Sequence, residues 1–355
     1  MNLSVGIVGL PNVGKSTLFN ALLQKQAALV ADYPFTTVKS NEGIIPVPDA
    51  DIEAVAKIVG VKQFKPATIT FIDIAGLVKG AHQGEGLGNQ FLGYIRETKV
   101  LCFVIRFFKD KTVSHVLDQI NPQQELAILE QELILADLAT LGKQKALKPN
   151  ASKQERASWS LVEKLKKELN QGKAIRDLVL SPEEKDLLKP LNLITVKPVI
   201  FLANLSENQL KQSRELLKDF PKQPVVPISA KLEMELIDLS RSEQKELLKS
   251  VGLAQSALES LIQTAYQTLN LISFYTIKNK DVRTWTLRRG ENAFRASALI
   301  HTDMMKNFIK AEVVSTKDFL KHQGWQNCLT QGIIRTEGKD YTVQDQDIIE
   351  FKINS

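Results

Sequence analysis

Over its first 120 residues the chain alternates short apolar runs with amphipathic stretches. Residues 3–8, 67–74 and 100–105 are β-rich runs of strand length, and residues 15–23 carry a helical pattern. Two more buried-strand patterns follow at 199–203 and 225–228. Strands alternating with helices predict a mostly parallel sheet with right-handed crossovers. The pattern breaks between Pro122 and Pro198. There, residues 125–141 place Leu126, Leu129, Leu133, Ala136 and Leu138 at helical spacing. A polar break at 143–153 separates them from a second, more charged helical stretch at 151–169. This predicts an α-helical hairpin or short coiled coil, too polar for a core element, inserted into an α/β domain. Three apolar heptads are not sustained, which argues against a long coiled coil. Residues 243–269 read as helices closing the first domain. Beyond Asn270, short strand patterns at 274–277, 282–287, 311–314 and 348–351 surround a helix near 293–305. They predict a small β-rich domain. The expected division is a discontinuous α/β domain at 1–121 and 195–272, a helical insert at 122–194, and a C-terminal domain at 273–355.

The first strand runs into Gly9-Leu-Pro-Asn-Val-Gly14-Lys15-Ser16, which matches G-x-x-x-x-G-K-[ST] between a predicted strand and a predicted helix. Glycines at both ends let backbone wrap phosphate oxygens. The amides of Asn12, Val13, Gly14, Lys15, Ser16 and Thr17 then face the anion at a helix N-terminus. Lys15 is expected on the β and γ phosphates, and the Ser16 hydroxyl on Mg²⁺. Asp73-Ile-Ala-Gly76 ends the next strand in the D-x-x-G form. Asp73 would hold Mg²⁺ through water, and the Gly76 amide would sense the terminal phosphate. Between these motifs, Thr37, with Thr36 as the fallback, is the candidate threonine for Mg²⁺ and the γ-phosphate. Leu77 occupies the place where many GTPases carry a water-orienting glutamine. His82, in the glycine-rich stretch 80–89, is the candidate to position water instead. Lys15, Gly76 and His82 form the expected catalytic set.

Guanine is commonly read by N-K-x-D after a late strand. Here Asn204-Leu205-Ser206-Glu207 stands in that place. Leucine replaces the lysine, and the longer glutamate does not fit the short bidentate geometry. Asn204 can accept from adenine's exocyclic amine, and Leu205 can offer apolar contact. A buried site that loses paired hydrogen bonds discriminates strongly, so ATP is expected in preference to GTP. Ser229 and Ala230, with Lys231, follow the last strand pattern as the loop whose backbone supports the base.

Composition narrows the remaining classes. Hydrophobic residues at 43% and charged residues at 24% describe an ordinary globular chain. A net charge of +6 permits a polyanionic partner without requiring one. The cysteines, Cys102 and Cys328, have no spacing for a metal site or disulfide framework, which fits a reducing compartment. Cys102 lies in an apolar run and is expected to be a buried strand residue. No stretch reaches the length of a membrane span, and no charged leader precedes the first strand. A cytoplasmic protein without membrane association, and a monomer, is expected.

These motifs together resemble those of the YchF/Obg-like ATPases, in the Obg branch of translation-factor GTPases. The resemblance is carried by residues 6–17, Tyr33-Pro-Phe-Thr-Thr37, Asp73-Ile-Ala-Gly-Leu-Val-Lys-Gly80, Gly84-Glu-Gly-Leu-Gly-Asn89 and Asn204-Leu-Ser-Glu207. In the C-terminal part it is carried by Thr284-Trp-Thr-Leu-Arg-Arg-Gly290, Ile300-His-Thr-Asp303 and residues 338–345. It implies a P-loop G domain, an inserted helical coiled coil and a C-terminal TGS domain of β-grasp type. It also implies slow, Mg²⁺-dependent ATP hydrolysis and binding to the ribosome or its subunits, and His82 matches the position of the family's proposed catalytic histidine. Arg283, Arg288, Arg289, Lys306, Lys310 and Lys317 would supply salt-dependent contacts to rRNA. Trp285 and Phe308 are candidates for base stacking, with core packing as the simpler reading. Two regions depart from the family pattern: the basic, bulky stretch 106–120 and the short helical insert. Both bear on partner surfaces rather than on nucleotide chemistry. Two alternatives stay open: an Obg-class GTPase, and an ATP-gated binding module with incidental hydrolysis, which Leu77 favours.

Overall fold

A computed structural model describes residues 3–30, 41–61, 63–74, 87–110, 113, 119–144, 147–222, 224–278 and 281–354. In chain order the described strands are β1 (Ser4–Val8), β2 (Glu42–Pro46), β3 (Phe64–Lys65), β4 (Thr68–Asp73), β5 (Val100–Arg106) and β6 (Val199–Asn204). They continue with β7 (Val225–Ile228), β8 (Leu271–Lys278), β9 (Asp281–Arg288), β10 (Phe308–Ser315), β11 (Arg335–Glu337) and β12 (Asp347–Ile353). The helices used below are α1 (Lys15–Val30), α2 (Ala50–Val59), α3 (Leu87–Glu97), α4 (Pro122–Gly142) and α5 (Lys153–Asn170).

The first sheet has the order β2-β4-β1-β5-β6-β7. All its pairings are parallel except β2 with β4. Every residue of β1, β5 and β6 is buried, as expected of central parallel strands covered on both faces. Cys102 sits on β5, and burial pushes its thiol up to about 12, which keeps it protonated and unreactive. Parallel register puts Asp73, the last residue of β4, beside Ile7 of β1, so the carboxylate lies at the strand ends from which the phosphate loop departs.

The helical region is less separate than its polarity predicts. Leu126, Leu129, Leu133 and Ala136 of α4 belong to the core of the first sheet. Ile134 and Leu141 of the same helix pack with Leu161 and Leu165 of α5. One helix therefore has two apolar faces, and only the far side of the hairpin is the polar element the sequence suggested. Asp137, buried on α4, accepts from the Ile194 and Thr195 amides at 2.8 and 2.7 Å and from the Thr195 hydroxyl. This clasp returns the chain to β6. Burial raises the Asp137 carboxyl, against the pull of those hydrogen bonds.

The second sheet, β11-β10-β12-β8-β9-β3, is mixed. The helix Ala293–Ile300 places Ala293 and Ala296 against Ile272, Phe274 and Leu287 on one face, a β-grasp arrangement. Phe308 is buried in this cluster, and Trp285 packs against it while its indole donates to Thr276 Oγ1 at 2.9 Å. Core packing accounts for both aromatics.

The opposite face is covered by a segment from the first half of the chain. Between β2 and β4, α2 turns its Ile52 and Val55 onto Tyr275, Val282, Val314 and Phe319, and β3 pairs with β9. Asp49 organises this junction. As N-cap of α2 it accepts from the Asp51 and Ile52 amides at 3.0 and 3.2 Å. It also accepts from the Tyr275 hydroxyl at 2.8–2.9 Å. Burial and the neighbouring carboxylate drive the Tyr275 hydroxyl far up, so it remains a donor. Asp49→Ala should destabilise the protein by roughly 2–4 kcal/mol, combining a lost cap with an orphaned buried hydroxyl. Denaturant unfolding measures this, and Asp49→Asn, which keeps an acceptor, should recover about half of it.

Candidate nucleotide site

The phosphate loop is a tight turn between β1 and α1. Asn12 has φ of 62° and Gly14 of 94°, so the loop passes twice through the left-handed region. The Leu18 amide bonds the Gly14 carbonyl at 3.0 Å, which starts the helix at once. The Asn12, Ser16 and Thr17 side chains are exposed, whereas Val13 and Lys15 are buried. The Lys15 ammonium forms an ion pair with Asp73. The cation expected on the β and γ phosphates and the carboxylate expected near Mg²⁺ therefore meet, and Lys15 is followed in the chain by the exposed Ser16. Oxygen donors of this kind suit a hard divalent cation.

A cavity of about 370 Å³ adjoins the loop. Gly14 and Thr17 form its phosphate-loop side, the Asn204–Glu207 segment and Ser229-Ala230-Lys231 another, and Phe108–Asp110 a third. Asn204, at the end of β6, is 4% exposed and holds two of these walls together. Its amide nitrogen donates to the Val13 carbonyl at 2.8 Å, and its amide oxygen accepts from the Ala230 amide at 3.1 Å. Its first task is thus to tie the phosphate loop to the far side of the cavity. Leu205 is 2% exposed and packs with Leu210, Leu232 and Leu236, while its amide donates to the Ile228 carbonyl at 2.7 Å. Glu207 lines the cavity with its side chain 39% exposed, and Lys231 lies 3.8 Å away. Ser229 caps the helix Ala230–Glu235 by accepting from the Leu232 amide. Glu233 in that helix, raised by burial, accepts from the Ala257 amide at 2.7 Å and fixes the helix to Ala257–Thr268.

The structure therefore brings together Asn12 to Thr17, Asp73, Asn204, Leu205, Glu207, Ser229 and Ala230. Thr37, with Thr36, and Gly76, Leu77 and His82 lie outside the described residues. One expectation needs correction. The start of the basic stretch 106–120 faces the nucleotide cavity, because Phe108, Lys109 and Asp110 line it. The signal was available: a charged residue, Arg106, directly after six apolar strand residues.

Residues 4–136 match the family model described as a 50S ribosome-binding GTPase. Residues 271–354 match the C-terminal model of YchF GTPases, described as a protein of unknown function. The ribosome-binding ATPase YchF of Escherichia coli O157:H7 is 40% identical over 100% of both chains. The chain belongs to the YchF family. The YchF of Bacillus subtilis (strain 168), also named a ribosome-binding ATPase, is 37% identical with full coverage of both chains. The structure of the Schizosaccharomyces pombe YchF GTPase superposes with a TM-score of 0.86 at 32% identity, over 99% of this chain and 98% of that one. YchF likeness thus extends over both sheets and the helical region between β5 and β6. Among the described residues no helix is long and apolar enough to cross a membrane.

Proposed function

We propose that the protein binds and hydrolyses ATP in preference to GTP, and uses the cycle as a translation-linked switch on the ribosome. The observation that carries this reading is the cavity joined to the phosphate loop through Asn204, with Glu207 where a guanine-reading aspartate would stand. The phosphate-loop amides and Lys15 bind and orient the triphosphate. Ser16 and Asp73, with Thr37, would hold Mg²⁺, which supplies charge neutralisation on the β and γ phosphates when bound. The Gly76 amide senses the terminal phosphate and His82 positions water. Contact of the γ-phosphate with Thr37 and the Gly76 amide is the switch. With leucine at 77, turnover is expected to be slow.

On the base side, Phe108 offers a partly exposed ring to the cavity, whereas the Leu205 side chain is committed to its own cluster. Asn204 Oδ1 keeps a second lone pair beyond the one facing Ala230, so it can still accept from an exocyclic amine. The bacterial relatives are named ATPases and the yeast protein a GTPase, so base preference is the point to test. Equilibrium binding of fluorescent ATP and GTP analogues with Mg²⁺ should favour ATP. Glu207→Asp, which restores the shorter carboxylate at the cavity wall, should move the preference toward GTP by at least about tenfold. A wild-type preference for GTP would make this an Obg-class GTPase.

Ribosome association is supported by the relatives' names, and contact with rRNA by the C-terminal domain's exposed Arg288, Lys306 and Lys317, whereas Arg289 lies 4.0 Å from Asp345. Arg283 and Lys310 lie beside Asp281 and Glu312 instead. The protein acts as a cytoplasmic monomer in this reading.

A further inference from the structure

Arg106 is the largest fully buried side chain among the described residues, at 1% exposure. A guanidinium out of water is costly unless its donors are met. Here backbone carbonyls from two loops are among its partners. Nη1 donates to the Asn12 carbonyl of the phosphate loop at 3.2 Å. Nε donates to Phe108 O at 3.3 Å, and Nη2 to Asp110 O and Val113 O at 3.2 Å each. The guanidinium also lies 4.3 Å from the Phe108 ring centroid. The Arg106 amide donates to Glu125 Oε2 of α4 at 3.1 Å, which fixes the base of the side chain.

One rigid, planar fork therefore reads the position of two loops that have no sequence relation. Asn12 and Val13 present consecutive carbonyls. Arg106 takes the first and continues to the Phe108–Asp110 wall, and Asn204 takes the second and continues to Ala230. The Asn204 carbonyl, in turn, accepts from the Phe107 and Phe108 amides at 2.9 and 3.1 Å. Displacing either loop leaves the same buried cation short of acceptors, so the two loops hold position together.

We propose that Arg106 is a positioning residue that couples the two halves of the nucleotide site. An anion on the phosphate loop orders the wall that receives the base, and an occupied base cavity tightens the phosphate loop by the same factor. The proposal rests on the reading of this cavity as the nucleotide site. It is distinct from base recognition, because Arg106 does not line the cavity.

The test splits the nucleotide into halves. Adenosine affinity is measured by calorimetry on the full chain, with and without saturating inorganic tripolyphosphate and Mg²⁺. Wild type should bind adenosine about fivefold or more tighter when tripolyphosphate is present. Arg106→Lys keeps the charge but has no planar fork, and should bind adenosine equally well in both conditions. Hydrogen exchange on the wild-type chain gives a second readout that needs no variant. Tripolyphosphate alone should slow exchange of the Phe108 amide, which belongs to the opposite wall. Independent binding of the two halves in wild type, undiminished coupling in Arg106→Lys, or unchanged Phe108 exchange each overturns the proposal. If Arg106→Lys does not fold, the hydrogen exchange decides alone. Failure of ATP itself to bind wild type removes the nucleotide reading as well, whereas ATP binding with uncoupled halves removes only the role of Arg106.

Discussion

Lys15→Ala is expected to lower ATP turnover by about 100-fold or more, the scale for losing one preorganised charge at a transferring phosphoryl group. Two effects add in the same direction. The ammonium that neutralises the β and γ oxygens is lost. The Asp73 carboxylate, which is ion-paired to Lys15, then faces the incoming triphosphate as a bare negative charge. Lys15→Arg should not rescue, because a planar fork cannot take the place of a compact point charge in a site this closely walled. Phosphate release under saturating ATP measures the chemical loss, and fluorescent-nucleotide binding separates it from lost affinity. Wild-type turnover in Lys15→Ala would remove the phosphate loop from the mechanism.

Gly14→Ala is expected to abolish ATP binding while costing roughly 2–5 kcal/mol of stability, the sum of a left-handed backbone and an overpacked contact. A Cβ at Gly14 would stand 2.1 Å from Asn204 Nδ2. Asn204 is held from both ends, by Val13 O and by the Ala230 amide, so it yields only by breaking the tie that closes the cavity. Gly60 is the control. It also has positive φ, 76°, but an added Cβ meets nothing within 4 Å. Gly60→Ala should therefore cost only about 1–2 kcal/mol and leave nucleotide binding intact. Thermal unfolding together with nucleotide titration of both variants separates backbone strain from the clash. ATP affinity in Gly14→Ala equal to wild type would mean that Asn204 does not brace the phosphate loop.

The readable part of this protein was its contiguous part. The phosphate loop, Asp73 at the end of β4, and the central strands β1, β5 and β6 were legible because periodicity and motif spacing act over a few residues. Comparison with N-K-x-D also singled out Asn204 to Glu207, a segment that lines the cavity beside the phosphate loop. Sequence patterns fall short where one element serves two neighbours. In sequence α4 looks too polar for a core, because its apolar residues serve two clusters at once and no single stripe dominates. The start of the stretch 106–120 reads in sequence as a partner surface, because bulk and positive charge look the same whether they face solvent or a buried carbonyl.

Sequence by itself determined the phosphate-loop chemistry, the α/β framework and the family. Tertiary structure alone decided that α2 and β3 cover the C-terminal sheet through Asp49 and Tyr275, that Asn204 braces Val13 across 191 positions of sequence, and that Arg106 joins Asn12 to the Phe108 wall. Local propensity has a range of a few residues. These contacts instead arise because buried donors and acceptors must find partners wherever packing has brought the chain, and no pattern along the sequence records which distant carbonyl that will be.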